Sequence, residues 1–418
     1  MRKLSWAVLL PVWAGIAVWL IYRWVTVQMV PEAEPQVKKP AGRRKDWQIF
    51  TAALLFRAAM FLLMLLLAQL APGGGEPRSL PELLSFWDAR HYIGLTEKGY
   101  TGYLENGRPI FLVFFPLYVW VCRVFTLVIP NVAAAGVLVS SLSYAAGCVY
   151  VYRLTEGLYG KAAAGRAVVF LSVFPFSFFF GTVMTEGLFL LTTAASLYYT
   201  SRHKWLAAGI WGALAAMTRM TGILTAAAML AEYTESTGLL RRHDPKGWWR
   251  AWLPRFLACL LPGTGTLVYL GLNYAVAGNP FAFIGFQQHW FQGNAWLPDT
   301  VALLLQNVWG YRNQPLNTAV WIPELILFFL FLAVLLAALT QKQQKNFLLV
   351  YGFFYLTLTY SLSWLLSAGR YLSCDIAFFA SAAALTGGRR WLGNLMIIAS
   401  AVLMGIYFTA YLQGAQIM

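Results

Sequence analysis

Between positions 85 and 92 the chain reads Ser85-Phe86-Trp87-Asp88-Ala89-Arg90-His91-Tyr92, followed shortly by Gly99-Tyr100. A carboxylate, a guanidinium and an imidazole stand almost side by side here, in a sequence with only 11% charged residues. These types suit proton transfer on an anionic substrate. Asp88 would accept a proton from an attacking hydroxyl. His91, one turn on and on the same face of a helix, would orient Asp88 or touch substrate, and Arg90 would meet a phosphate or a lipid headgroup. Three more ionisable residues interrupt apolar runs: Glu186 after Thr185, Arg219 after Thr218, and Arg370 before Tyr371. A charge at membrane depth is costly unless it faces a polar cavity or a partner. A guanidinium fork fits a pair of phosphate oxygens, which makes Arg219 and Arg370 candidates for holding a departing phosphate.

Each of these residues also has a plainer reading. Ser85-x-x-Asp88 fits a capping box at a helix start. Glu186 suits the N-terminus of the span that follows it, and either arginine could simply pair with Glu186 inside the bundle. His91 could pack, Arg90 could be a solvated charge, and Trp87 and Tyr92 could be interfacial belt aromatics.

The elements that must position these groups are membrane helices. A 418-residue chain that is 59% apolar is too hydrophobic for a soluble domain and too long for a single anchor. Runs of the length a helix needs to cross a bilayer recur along nearly the whole sequence, whereas a barrel would show short alternating segments. The net charge of +15 lies in short basic clusters between apolar runs, which fits retention of Lys and Arg on the cytoplasmic side better than a nucleic-acid face. Cys122, Cys148, Cys259 and Cys374 all sit inside apolar runs and read as small core residues.

Residues 4–22 form a first apolar run, read as an uncleaved anchor, and a Pro- and charge-rich linker from Pro31 to Asp46 follows. Residues 1–47 are thus an anchor with a basic linker, and residues 48–418 the main membrane domain. A first outer loop, 72–131, begins at Pro72-Gly73-Gly74-Gly75 and carries the Trp87-Asp88 motif. Its apolar piece Phe111–Ile129 is interrupted by Pro116 and Arg123, and reads as an interfacial helix because counting it as a span inverts every later basic loop. Spans then alternate, with a basic loop from Arg241 to Arg255 and a second outer loop, 277–318, rich in aromatic and amide side chains including Gln287, His289, Trp290 and Trp296. The count is eleven or twelve spans, with Asp88, His91, Glu186, Arg219 and Arg370 on one side. No fixed-period repeat, nucleotide-binding loop or metalloprotease-type signature is present, so a group donor would be lipid-borne.

In Trp87-Asp88-Ala89-x-His91-Tyr92 with Gly99-Tyr100, Phe114-Phe115-Pro116, Thr185-Glu186, Thr218-Arg219-x-x-Gly222 and Arg370-Tyr371, taken in that order, the chain resembles the PIG-V family, the second mannosyltransferase of GPI-anchor assembly and its bacterial relatives. The resemblance implies an all-α, polytopic GT-C architecture in a bacterial plasma membrane, with the site facing outside. It further implies inverting transfer of mannose or another hexose from a polyprenyl-phosphate donor to a lipid- or protein-linked glycan acceptor, with membrane lipids as further partners and no cofactor. Asp88 would be the catalytic base; His91, Arg90, Tyr92, Glu186, Arg219, Arg370 and Tyr371 would bind substrate. Two departures stand out: the first apolar run lies outside the family core, and Ala368-Gly369 precedes Arg370 where relatives often carry Pro. An inverting displacement needs one base, unlike the carboxylate pair of a retaining mechanism. Two outer carboxylates without an Asp-x-Asp pair are few for a hard divalent ion, so no required metal is expected. The alternative from another class is a transporter or flippase for a lipid-linked sugar. Such proteins commonly show internal repeats and midplane charges, whereas here the polar groups fall towards one side.

Overall fold

The computed structural model describes residues 1–29, 43–69, 80–238, 240 and 248–417. Most of the basic linker, the glycine run at 73–75 and residues 241–247 of the 241–255 loop lie outside the described residues. The fold is helical: α1 (Arg2–Met29), α2 (Arg43–Gln69), α3 (Leu80–Leu84), α4 (Ala89–Gly102), α5 (Pro116–Phe125), α6 (Val132–Tyr159) and α7 (Lys161–Val173) make up the first part. Then come α8 (Glu186–Ser201), α9 (Trp205–Thr218), α10 (Leu224–Thr237), α11 (Trp248–Leu260), α12 (Pro262–Ala277), α13 (Ala282–Gln287) and α14 (Leu297–Gly310). The chain ends with α15 (Ile322–Leu339), α16 (Asn346–Thr359), α17 (Ala368–Leu372), α18 (Ile376–Leu385) and α19 (Arg390–Leu412).

This is the all-α polytopic membrane bundle expected from the sequence, but the helices are shorter than the apolar runs. Among the described residues five helices are long and apolar enough to cross a membrane, or six if the pair α11 and α12, bent by 41°, counts as one. The eleven or twelve apolar runs counted from sequence include helices shorter than such a crossing, among them α9, α16 and α18, and breaks in the backbone separate them. The breaks are local: a 3-10 turn at Ser177–Gly181 ahead of α8, another at Met220–Ile223 between α9 and α10, and the short α17 between α16 and α18. Helix α5 has ten residues, under the length of a crossing. The 277–318 segment is itself largely helical, containing α13 and α14.

Lipid tails are as apolar as leucine, so helices in a membrane gain by packing closely rather than by leaving water. The centre of this bundle accordingly joins α6 to α8 through small residues. A Cβ on Gly187 would stand 2.3 Å from the carbonyl oxygen of Ser140, so only glycine lets the start of α8 approach α6 this closely. Two charged groups within the bundle show how polar side chains are matched in place. Arg57 on α2 donates to the carbonyls of Ser177 (2.6 Å) and Ser172 (3.3 Å) and lies 4.3 Å from the Tyr144 ring centroid. Asp46 on α2 and Arg153 on α6 form a two-point ion pair.

Helix α1 is held against the bundle by polar anchors along its length. Arg2 and Trp6 both bond Asp299 at 2.7 Å, Trp13 Nε1 donates to Thr357 at 2.9 Å, and Trp24 donates to Thr234 at 2.9 Å. Arg23 reaches Asn346 and the carbonyls of Leu339, Gln341 and Gln344.

Candidate active site

The ionisable residues singled out in the sequence sit at the breaks between helices. Irregular backbone at membrane depth is tolerated where it is buried in protein or lines a cavity, and both conditions hold here. Asp88 immediately precedes α4, yet its side chain makes no capping hydrogen bond, and the hydroxyl of Ser85 donates to the Glu82 carbonyl instead. The capping-box pattern is thus not used. Trp87, just before it, adopts a left-handed backbone with φ of 54°. For a bulky residue that conformation costs about 1–3 kcal/mol and persists only where surrounding packing enforces it. Glu186 opens α8. Arg219 lies in extended backbone at the junction of α9 and α10, where the turn is so tight that a Cβ on Gly222 would meet Ala215 backbone at 2.2 Å. Arg370 and Tyr371 ride on the short α17.

Folding brings these groups into one charge cluster. Arg370 Nη1 donates to Asp88 Oδ2 at 2.7 Å, and its Nε stands 3.2 Å from Glu186 Oε1. Arg219 Nη1 donates to the same Glu186 oxygen at 2.7 Å. Both guanidiniums lie over the Tyr371 ring, at 4.7 Å for Arg219 and 5.3 Å for Arg370. The Glu186 side chain is 1% exposed and Asp88 24%, so Asp88 is the carboxylate within reach of a ligand. Glu186 Oε2 is buried and has no hydrogen bond among the described residues. Both the plain pairing of the arginines with Glu186 and the helix-start position of Glu186 are therefore realised, and Asp88 shares the same charges.

His91 packs between aromatic rings, 4.7 Å from Phe111 and 5.4 Å from Phe114, with its Nδ1 3.1 Å from the Tyr103 hydroxyl. Burial, reinforced by the neighbouring Arg90, lowers its pKa to about 4, so the ring is neutral near pH 7. Arg90 is exposed, with Nε 3.4 Å from His91 Nε2. Tyr92 is buried edge-on against Phe114 and Tyr118, and burial raises its pKa.

All eight candidates, Asp88, Arg90, His91, Tyr92, Glu186, Arg219, Arg370 and Tyr371, line one cavity of about 400 Å³. Side chains outside the expected set complete it: Trp290, Gln287 and Gln292 from the α13 region, Trp364 and Ser367 ahead of α17, and Gln416 after α19. The amide and aromatic residues of the 277–318 loop were visible in the sequence as a group, but nothing in spacing tied Trp364 or Gln416 to Asp88. Of the aromatic residues named in that loop, Trp290 reaches this cavity and Trp296 lines a neighbouring one. His289 instead sits 3.2 Å from Glu105. Among the described residues no three His, Cys, Asp or Glu side chains converge as a metal site.

The cavity opens into an apolar groove of about 900 Å³. Phe115, Arg219, Met220, Gln287, Gln292 and Tyr371 belong to both, so Arg219 stands at the seam between a polar chamber and an apolar trough, with Arg370 on the chamber side.

Comparison with known proteins gives no match among curated sequences. Similar solved structures include ArnT from Cupriavidus metallidurans bound to undecaprenyl phosphate, at 13% identity and TM-score 0.48, covering 87% of this chain and 76% of that one. Another is the oligosaccharyltransferase AglB from Archaeoglobus fulgidus in complex with an inhibitory peptide and a dolichol-phosphate, at 14% identity and TM-score 0.46. That match covers 88% of this chain and 56% of AglB. Over residues 109–273, which hold Glu186 and Arg219 but neither Asp88 nor Arg370, the chain is similar to the dolichyl-phosphate-mannose-protein mannosyltransferase family.

Proposed function

We propose that this protein is a membrane glycosyltransferase of the GT-C type. In this reading it transfers mannose, or another hexose, from a polyprenyl-phosphate donor to an acceptor hydroxyl on a lipid- or protein-linked glycan, with inversion, at the outer face of a bacterial plasma membrane. The observation that carries the reading is the junction: a half-buried carboxylate and two largely buried guanidiniums meet in a polar chamber that shares Arg219 and Tyr371 with an apolar groove. That is the shape of an amphiphile with an anionic head. The family similarity over residues 109–273 supports the donor class. The Trp87-Asp88-Ala89-x-His91 motif supports the narrower kinship with the PIG-V family.

The chemistry follows from the charges. The acceptor oxygen bonds to the anomeric carbon, its proton passes to Asp88, and the bond from that carbon to the phosphate oxygen breaks. The donor phosphodiester carries one negative charge and the departing monoester carries more, so the site needs cations aimed where charge grows. Arg370 couples the two ends of the reaction. While Asp88 is ionised it holds Arg370 Nη1 at 2.7 Å; once it has taken the proton, that hold weakens and the guanidinium turns to the phosphate. Arg219, at the seam, is the second phosphate contact. Tyr371 sets the plane on which both guanidiniums rest.

The test is mass analysis of products from the purified full chain given polyprenyl-phosphate mannose, other polyprenyl-phosphate hexoses and candidate glycan acceptors. Release of polyprenyl phosphate together with a hexose-extended acceptor is the expected result. Movement of intact donor across a vesicle membrane with no cleavage would replace the enzyme by a transporter.

A further inference from the structure

Helix α1 lies outside the residues that match the family model and would serve as a plain anchor if it only tethered the chain. Its contacts say otherwise. A tether needs no register, yet α1 is fixed by side-chain hydrogen bonds from Trp6, Trp13 and Trp24 to residues of three other helices. With its Nε1 satisfied by Thr357, Trp13 joins Trp6, Leu9 and Leu10 along one wall of the 900 Å³ groove. Leu297, Pro298, Leu358 and Leu362 also line it, as do the cation and ring of Arg219 and Tyr371 shared with the polar chamber.

We infer that α1 is the wall that grips the isoprenoid tail of the donor, and that its groove-facing side chains set how strongly tail length contributes to binding. This rests on the proposed donor class. The occupant follows from continuity: the groove and the polar chamber share Arg219, one of the two guanidiniums assigned to the phosphate, together with Tyr371, so the apolar part of the same molecule fills the groove. Aliphatic and indole surface without charge suits a hydrocarbon chain, each buried methylene of which adds to binding.

Leu10 offers a clean probe because it lines the groove yet is 53% exposed, so enlarging it does not overpack the core. Val8, 52% exposed and not part of the groove, is the matched control. The experiment measures transfer by the full-length variants Leu10→Trp and Val8→Trp with an undecaprenyl-phosphate hexose and with a geranyl-phosphate hexose. In parallel, binding of radiolabelled undecaprenyl phosphate is measured without turnover. Leu10→Trp is expected to raise KM for the undecaprenyl donor roughly ten-fold, the loss of one to two buried methylenes. The geranyl donor and kcat should be unchanged, undecaprenyl phosphate binding should weaken by a similar factor, and Val8→Trp should do neither. Equal shifts for both donors, no shift for either, or the same shift from Val8→Trp overturns the inference. If the unaltered chain transfers from neither donor, the donor assignment fails. The binding arm still decides the groove: undecaprenyl phosphate binding weakened by Leu10→Trp alone supports it, and binding unchanged overturns it.

Discussion

Arg370 is shared between two carboxylates, and that sharing sets what single substitutions at the site should do. Asp88→Asn removes the proton acceptor while Arg370 keeps Glu186 at 3.2 Å, so the fold should survive. Transfer should drop roughly 10²- to 10⁴-fold in kcat, the range for a lost general base, with an unchanged melting temperature; wild-type turnover would remove Asp88 from that role. Glu186 is the opposite case. Glu186→Leu leaves Arg219 and Arg370 without their common buried partner and should lower stability by about 3–5 kcal/mol, read by thermal unfolding in detergent. His91 gives a pH test. Its pKa falls from 6.5 to about 4 on folding, so the unfolded chain binds the proton more readily between those values. Its contribution to stability is therefore complete above about pH 6.5 and is lost as pH falls towards 4. A His91→Gln variant should show a shallower fall in unfolding midpoint over that window, while transfer activity between pH 7 and 8 shows no inflection from this group. The candidates themselves were legible because charges are rare in this chain. That Arg219 and Arg370 converge on one oxygen of Glu186 was not, since sequence spacing carries no information on which distant helix ends meet.

Backbone breaks between helices turn a set of apolar segments into a site. Glu186, Arg219 and Arg370 each sit at such a break, where the sequence already shows an ionisable residue interrupting an apolar run. Glycine and turn chemistry marked some of the breaks in advance, as at Arg219-x-x-Gly222, whereas α17 follows no strong signal. The start of α8 depends on Gly187, whose missing side chain leaves room for the Ser140 carbonyl. Gly187→Ala should push α8 away from α6, cost about 1–3 kcal/mol by overpacking, and lower transfer by displacing Glu186; unchanged stability and activity would mean that the contact yields freely. Arg370 is positioned from behind. Glu324, buried in α15, accepts the Ala368 N–H at 2.9 Å, and the Tyr355 hydroxyl donates to the Tyr371 carbonyl at 2.9 Å. Glu324→Gln keeps an acceptor for that N–H and should retain activity. Glu324→Leu strands a buried donor, at about 1–3 kcal/mol, and should raise KM for the donor. Equal behaviour of the two variants would separate Glu324 from Arg370.

At the scale of the whole molecule, a polar chamber that holds both arginines adjoins an apolar groove at Arg219, with α1 closing one side. The helical membrane architecture was plain from composition, because no soluble fold accommodates such long apolar runs. The groove was not, because its walls come from α1, α14, α16 and the turn after α9, elements far apart in sequence and individually unremarkable in composition. If the chamber and the groove act as one donor site, a single amphiphile must occupy both. The most direct measurement is an electron cryomicroscopy structure of the full chain in a lipid nanodisc with undecaprenyl phosphate. The phosphate is predicted at hydrogen-bonding distance, about 3 Å, from the guanidiniums of Arg219 and Arg370, with the prenyl chain running past Met220 along Leu9, Leu10 and Trp13. A phosphate bound away from both arginines, or a tail leaving the groove empty, would contradict it.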